Sequence, residues 1–303
     1  MVSPLFDERS LRKLERLALV AQRVRAGSIK GERRSTKRGT AVEFADYRPY
    51  ARGDDLRRVD WNVYARLERP FVKLLEEEED LAVHLLLDSS GSMDWGQEPV
   101  HKFRYGLRLV GALAYIGLGT GDRVTVQLVG TGDARHSAVA HRARFGPVRG
   151  TGQIFRLLAW LAQQSAGGVT DLNAALRTFS QHGARPGLVM LLTDLWSPTG
   201  FQDGVRALLA GGHEVAILHL LAPDELEPPF SGDLKLVDTE TGDAQDVTLD
   251  RPLAELYRRR LDDWLHGIEG WCHGRQVHYV PVCTDLPWER LILHTLRKKS
   301  VIR

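Results

Sequence analysis

Three short, almost unbroken apolar runs limit what this chain can become. They are Leu81 to Leu87, Leu188 to Thr193 and Val215 to Leu221. A strand with one wet face alternates apolar and polar residues. A run that is apolar at both parities needs cover on both faces, as strands of a parallel sheet between helices have. Elsewhere the apolar spacing changes to three and four residues, over Val100–Leu118, Ile154–Gln164, Asp171–Ser180 and Gln202–Leu209, which reads as helix. Arg123–Val129 reads as a further strand. Strands alternating with helices predict a doubly wound, mainly parallel α/β sheet. A hairpin within Ser231–Leu249, a helix over Leu253–Ile268, a strand over Gln276–Val282 and a helix over Trp288–Leu296 complete it.

Oxygen-bearing side chains cluster where these elements begin and end. Asp88, Ser90 and Ser92 follow the first run in HLLLDSSGSM. Thr170 opens a helix in GGVTDLN, and Asp194 ends a strand in LVMLLTDLW. Open α/β sheets bind ligands beyond the carboxyl ends of their strands, and in the order 3-2-1-4-5-6 strands one and four are neighbours there. With Leu81–Leu87 as strand one and Leu188–Thr193 as strand four, Asp88 and Asp194 face each other across that crevice. Two carboxylates and three hydroxyls, with no nitrogen or sulfur, suit Mg²⁺ or Mn²⁺ rather than zinc. The Asp-x-Ser-x-Ser triplet taken alone is a weak signal, because such residues also cap helices and shape turns.

The run DSSGSM, the loop GGVTDLNAAL and the strand end LLTD resemble the metal-ion-dependent adhesion site of von Willebrand factor type A domains. The segment GTAVEFADYRPYARGDDLRRVDWNVYARLERPFVKLLEEEE resembles the signature that precedes such a domain in the bacterial family called domain of unknown function 58. That resemblance implies a von Willebrand factor type A fold, with Ser90, Ser92 and Thr170 coordinating the metal and Asp88 and Asp194 acting directly or through water. It also implies work beside a MoxR-type AAA+ ATPase, in chaperone-like assembly or maturation of other proteins.

Residues 1–78 are expected to form an N-terminal helix over Asp7–Gly27 and a basic, aromatic signature segment. Residues 79–303 form the α/β domain with its hairpin insertion near 229–250. Within the signature, loops, a short helix and a strand near Phe71–Leu75 are expected, with Tyr47, Tyr50, Trp61 and Tyr64 as a small core. The basic cluster Lys30, Arg33, Arg34, Lys37 and Arg38 stands in a chain with 41 basic and 39 acidic residues. That balance favours a solvated or partner-facing loop over a nucleic-acid surface. Cys272, His273, His278 and Cys283 crowd together, yet His278 and Cys283 point to opposite faces of a strand, against a zinc site. No stretch reaches the ~18–20 apolar residues of a membrane span, and no secretion signal is visible, so a cytoplasmic location with reduced cysteines is expected.

These features predict a metal-dependent protein-binding module and not an enzyme. The metal is expected to receive a Glu or Asp carboxylate from a protein partner, which the family resemblance implies is a MoxR-type ATPase or its client. Met93, Trp95, Leu195 and Trp196 are expected as an apolar rim around that site. Ser90 has no histidine base in view, and the chain has no Gly-Lys-Ser/Thr phosphate loop. A Mg²⁺-dependent hydrolase of phosphate esters, or a scaffold with an empty site, are the alternatives.

Overall fold

The computed structural model describes residues 12–13, 42–51, 54–56, 59–77, 81–130, 143–229, 232–237 and 244–292. Most of the helix expected over Asp7–Gly27, the basic cluster from Lys30 to Arg38 and the end of the last helix lie outside these residues. The chain divides into two compact units, Ile29–Asp80 and one that contains Leu81–Arg303.

In the small unit, strands β1 (Val42–Pro49) and β2 (Phe71–Glu77) pair antiparallel. The β1 strand is a correction, since only loops are expected there from the sequence. Its register shifts between Phe44 and Asp46, and such a bulge interrupts the period of two by which strands are recognised. Helix α1 (Trp61–Leu67) starts at Asp60, whose carboxylate accepts from the backbone N–H groups of Asn62 and Val63. The Tyr47 hydroxyl donates to the other Asp60 oxygen, and Arg48 grips Asp54 through its two terminal guanidinium nitrogens. Val59 and Val72 are buried, whereas Trp61 and Tyr64 meet edge to face with much of their surface exposed. The aromatic residues of the signature are therefore only partly a core.

The large unit is built on six strands: β3 (Ala82–Asp88), β4 (Arg123–Val129), β5 (Arg144–Val148), β6 (Leu188–Thr193), β7 (Glu214–Leu221) and β10 (His278–Cys283). Their spatial order is β10-β7-β6-β3-β4-β5, with every pair parallel except β5 on β4. Counted along the chain this is the order 3-2-1-4-5-6, so the doubly wound sheet expected of a von Willebrand factor type A fold is what forms. The edge strand β5 is not apparent in the sequence. Gly146 and Pro147 break its period, and proline is tolerated at an edge because no neighbour needs its N–H. Strands β8 (Gly232–Val237) and β9 (Ala244–Leu249) form a separate hairpin.

Successive side chains of β3 feed two cores. Leu85 and Leu87 join one with helix α2 (Lys102–Gly119) and helix α3 (Ile154–Leu161). Leu86 joins the other with α4 (Leu172–Gln181), α5 (Gln202–Ala210) and α7 (Arg251–His273). This is the two-faced burial that the apolar runs require. The short helices α6 (Pro223–Leu226) and α8 (Trp288–Arg290) follow β7 and β10.

One glycine sets how near α2 lies to the sheet. A Cβ at Gly106 would come within 2.7 Å of a Leu87 methyl group. One turn earlier, the same buried stripe carries Lys102 to the carboxyl edge of β6. Gly106→Val is expected to overpack this seam and cost about 1–3 kcal/mol, read as a lower urea midpoint. An unchanged midpoint would show that the seam has room.

Candidate metal centre

The first ligand loop leaves β3 at Asp88 and turns at once. The Ser90 backbone N–H donates to Asp88 Oδ1 at 2.9 Å, and the 3₁₀ turn Gly91–Met93 follows. Two backbone bonds tie this loop to the next: Gly91 N–H to the Gly168 carbonyl, and Gly167 N–H to the Ser89 carbonyl, each 2.8 Å. Gly168 has a φ of +80°, a value that only glycine adopts without strain. That turn delivers Thr170, whose hydroxyl donates to Asp88 Oδ1 at 3.1 Å. The close approach needs Gly130 at the end of β4, where a Cβ would sit 3.2 Å from the Thr170 hydroxyl and 2.7 Å from that of Ser89.

Asp88, Ser90, Ser92 and Thr170 thus form one connected set of oxygens. The Ser90 and Ser92 hydroxyls lie 2.9 Å apart, and Thr193 donates to Asp88 Oδ2 at 2.6 Å. Asp194 completes the crevice because β6 pairs with β3, Leu192 opposite Leu87. Its carboxylate is already engaged, accepting from the Trp196 backbone N–H at 3.1 Å and from Lys102 Nζ at 2.8 Å. Burial, together with the neighbouring Asp194 charge, pushes the Asp88 carboxyl up to about 6.

Lys102 is the residue of this crevice that motif reading misses. Its side chain is 1 % exposed, and its ammonium also reaches Glu225 Oε1 at 2.7 Å. A signal was available, for Lys102 occupies the apolar stripe of α2, with Tyr105, Gly106 and Leu109 one and two turns on. Glu225 carries no such mark. It is held by the Ala222 backbone N–H at 2.7 Å, and burial raises its carboxyl above the ordinary range. His219 also packs here, with Nε2 2.9 Å from the Asp194 carbonyl and Nδ1 2.8 Å from the Tyr279 hydroxyl. Burial lowers it to about 4, so it is neutral at physiological pH.

The crevice thus holds Asp88, Asp194 and Glu225 against one ammonium, which leaves two negative charges uncompensated when all are ionised. An all-oxygen donor set with excess negative charge fits a hard divalent cation. Among the described residues no three His, Cys, Asp or Glu side chains group closely enough to hold a metal ion, and the hydroxyls of Ser90, Ser92 and Thr170 are the further oxygen donors at this crevice. Cys272 and Cys283 are free thiols.

The expected apolar rim needs correction. Met93 and Leu195 are buried in the core at 0 % and 4 % exposure, while Trp95 and Trp196 are exposed at 39 % and 47 %. At Leu195 the backbone takes a φ of +59°, held by the Leu195 N–H on Thr193 Oγ1 and the Trp196 N–H on Asp194. This turn points Leu195 inward and Trp196 outward, an alternation invisible in the pair of letters LW.

Over residues 46–263 the chain matches the family described as "Protein of unknown function DUF58", and it belongs to that family. It is 28 % identical over 282 residues to the uncharacterized proteins Rv1480 of Mycobacterium tuberculosis and Mb1516 of Mycobacterium bovis, covering 93 % of this chain and 87 % of each relative. Among solved structures it resembles BatB from Bacteroides thetaiotaomicron, at 16 % identity and a TM-score of 0.40 over 73 % of this chain and 99 % of that one. Manganese-loaded TRAP of Plasmodium vivax aligns at 18 % identity and a TM-score of 0.33 over 46 % and 57 % of the two chains.

Two substitutions test the charge arrangement in EDTA. Lys102→Met leaves Asp194 and Glu225 buried without their cation and should cost about 3–5 kcal/mol. Asp88→Asn should do the opposite. The fold binds a proton on Asp88 more tightly than the unfolded chain does, so the carboxylate's contribution grows more unfavourable as pH rises from about 4 to about 6. Removing that charge should stabilise the metal-free protein at pH 7 by on the order of 1–3 kcal/mol, read as a higher melting temperature. A destabilised Asp88→Asn protein would show the carboxylate to be compensated already.

Proposed function

We propose that the large unit is a metal-dependent protein-binding module, in which a Mg²⁺ or Mn²⁺ ion at the β3–β6 crevice receives a Glu or Asp side chain of a partner. The observation that supports it is the excess of buried carboxylate over ammonium beside a connected group of hydroxyls. Ser90, Ser92 and Thr170 would be the direct ligands. Asp88 would stand beside them, orienting the Ser90 and Thr170 groups to which it is bonded. Asp194, whose oxygens are engaged by Lys102 and the Trp196 N–H, would act through water. When bound, the cation supplies a positive charge with open positions for an incoming carboxylate. Trp95 and Trp196 would exclude water from that contact.

The same geometry favours binding over catalysis. The Ser90 hydroxyl is bonded to Ser92, and both ring nitrogens of His219 are occupied by other partners, so neither arrangement prepares a nucleophile. By family membership we extend the proposal to the partner, a MoxR-type AAA+ ATPase or its client. The role would be adaptor-like, in the assembly or maturation of other proteins, and within the cytoplasm. Among the described residues no helix is long and apolar enough to cross a membrane.

Isothermal titration of the wild type with Mg²⁺ should show weak binding, sub-millimolar to millimolar, because water fills much of the shell. Asp88→Ala should abolish it, and equal heats from both proteins would refute the assignment. Purified protein with Mg²⁺ should leave ATP, GTP and aryl phosphates unhydrolysed, and turnover lost in Asp88→Asn would favour the hydrolase alternative instead. Capture of the ATPase should require Mg²⁺ and weaken severalfold or more in Ser92→Ala and Trp196→Ala. Capture that survives EDTA and both substitutions would place the interface elsewhere.

A further inference from the structure

Beside the Asp194 loop lies a cleft of about 290 Å³, between residues 195–202 and helix α7. Its walls include Leu195, Phe201, Trp264, Gly267, Ile268 and Trp271. Trp196, two residues from Asp194, stacks on Trp264 with centroids 4.7 Å apart and planes at 19°, so the exposed Trp196 joins the cleft to the proposed metal site.

Gly267 stands in the interior of a 23-residue helix, where glycine costs roughly 1 kcal/mol relative to alanine. Packing does not require it, because a Cβ there would meet no atom within 4 Å. Gly267 lines the cleft, and a methyl group there would stand in its open space.

Charge marks the cleft's ends. The α7 stripe at helical spacing runs Arg260, Trp264, Gly267 and Ile268, Trp271, then Arg275 just past the helix. The Arg275 guanidinium lies 4.5 Å from the Trp271 ring centroid and that of Arg206 6.0 Å. Arg206 also pairs with Asp203 at the surface. On the same helix, Asp262 and Glu269 fall on the opposite face and Asp263 at the flank, by the 100° step.

We infer that this cleft takes an aromatic side chain from an acidic segment of the partner polypeptide, while a neighbouring carboxylate of that segment reaches the metal centre. The aromatic walls fit a planar apolar group, and the basic ends fit acidic residues on either side of it. This rests on the metal-dependent reading above and gives the partner a chemistry: acid, aromatic, acid.

The probe is the peptide acetyl-Glu-Asp-Trp-Glu-Asp-amide, added to the full chain with 5 mM Mg²⁺ (roughly the scale of a weak oxygen site) or EDTA, and read by the indole N–H signals of Trp264 and Trp271. Both signals should shift saturably, and a peptide with Lys in place of the acids should bind at least tenfold more weakly. Gly267→Ala should raise the melting temperature by about 2–4 °C through helix propensity, yet weaken the acidic peptide at least fivefold. Shifts of equal affinity in Mg²⁺ and EDTA would remove the metal from the account and leave the cleft standing. Signals that stay still in both conditions, an unweakened Gly267→Ala protein, or concentration-dependent shifts without peptide (a second copy as occupant) would overturn the cleft proposal.

Discussion

Lys102 holds its ammonium 2.8 Å from Asp194 and 2.7 Å from Glu225, with almost none of its side chain in water. A buried cation of this kind persists only where carboxylates surround it, and the carboxylates persist only with a cation. The triad therefore fixes three elements to one another: the first turn of α2, the end of β6 and the short helix after β7. It also sets the electrostatics of everything nearby. With Asp194 and Glu225 sharing one positive charge, Asp88 has none of its own and relies on hydroxyl and backbone donors. That imbalance is what the proposed divalent cation would offset.

Geometry does the remainder through the backbone. Parallel pairing of β3 with β6 sends both chains out of the sheet at the same edge, so Asp88 and Asp194 arrive together although 106 positions separate them in sequence. Glycines then let the loops converge: Gly168 turns the chain toward Asp88, and Gly130 leaves space for the Thr170 hydroxyl. The proposed site and the fold depend on the same residues here, since Asp88 ends β3 and Thr170 leads into α4.

The sheet was legible in the sequence because its central strands are buried on both faces, and a short run that is apolar at both parities needs that double cover. The oxygens of the proposed site stand out in the sequence because they lie where strands end and a helix opens. What escaped notice lacked a period or a motif. The edge strand β5 contains Gly146 and Pro147, and the first strand is bulged at Phe44 and Asp46. Lys102 was legible in principle, as a charge on an apolar stripe, but Glu225 gains its meaning only when folding brings it to that ammonium. The rim needed correction, since neighbours in sequence take opposite directions in the turn after Asp194: Leu195 packs inward while Trp196 meets solvent.

At the centre stands the proposal that the hydroxyls of Ser90, Ser92 and Thr170 hold a divalent cation. Diffraction from crystals grown with Mn²⁺, collected to exploit the anomalous signal of manganese, addresses it directly. One strong anomalous peak is expected within about 2.0–2.3 Å of the serine hydroxyls, absent from Asp88→Ala crystals grown in the same way. Ordered Ser90 and Ser92 side chains with no manganese beside them at millimolar concentration would contradict it.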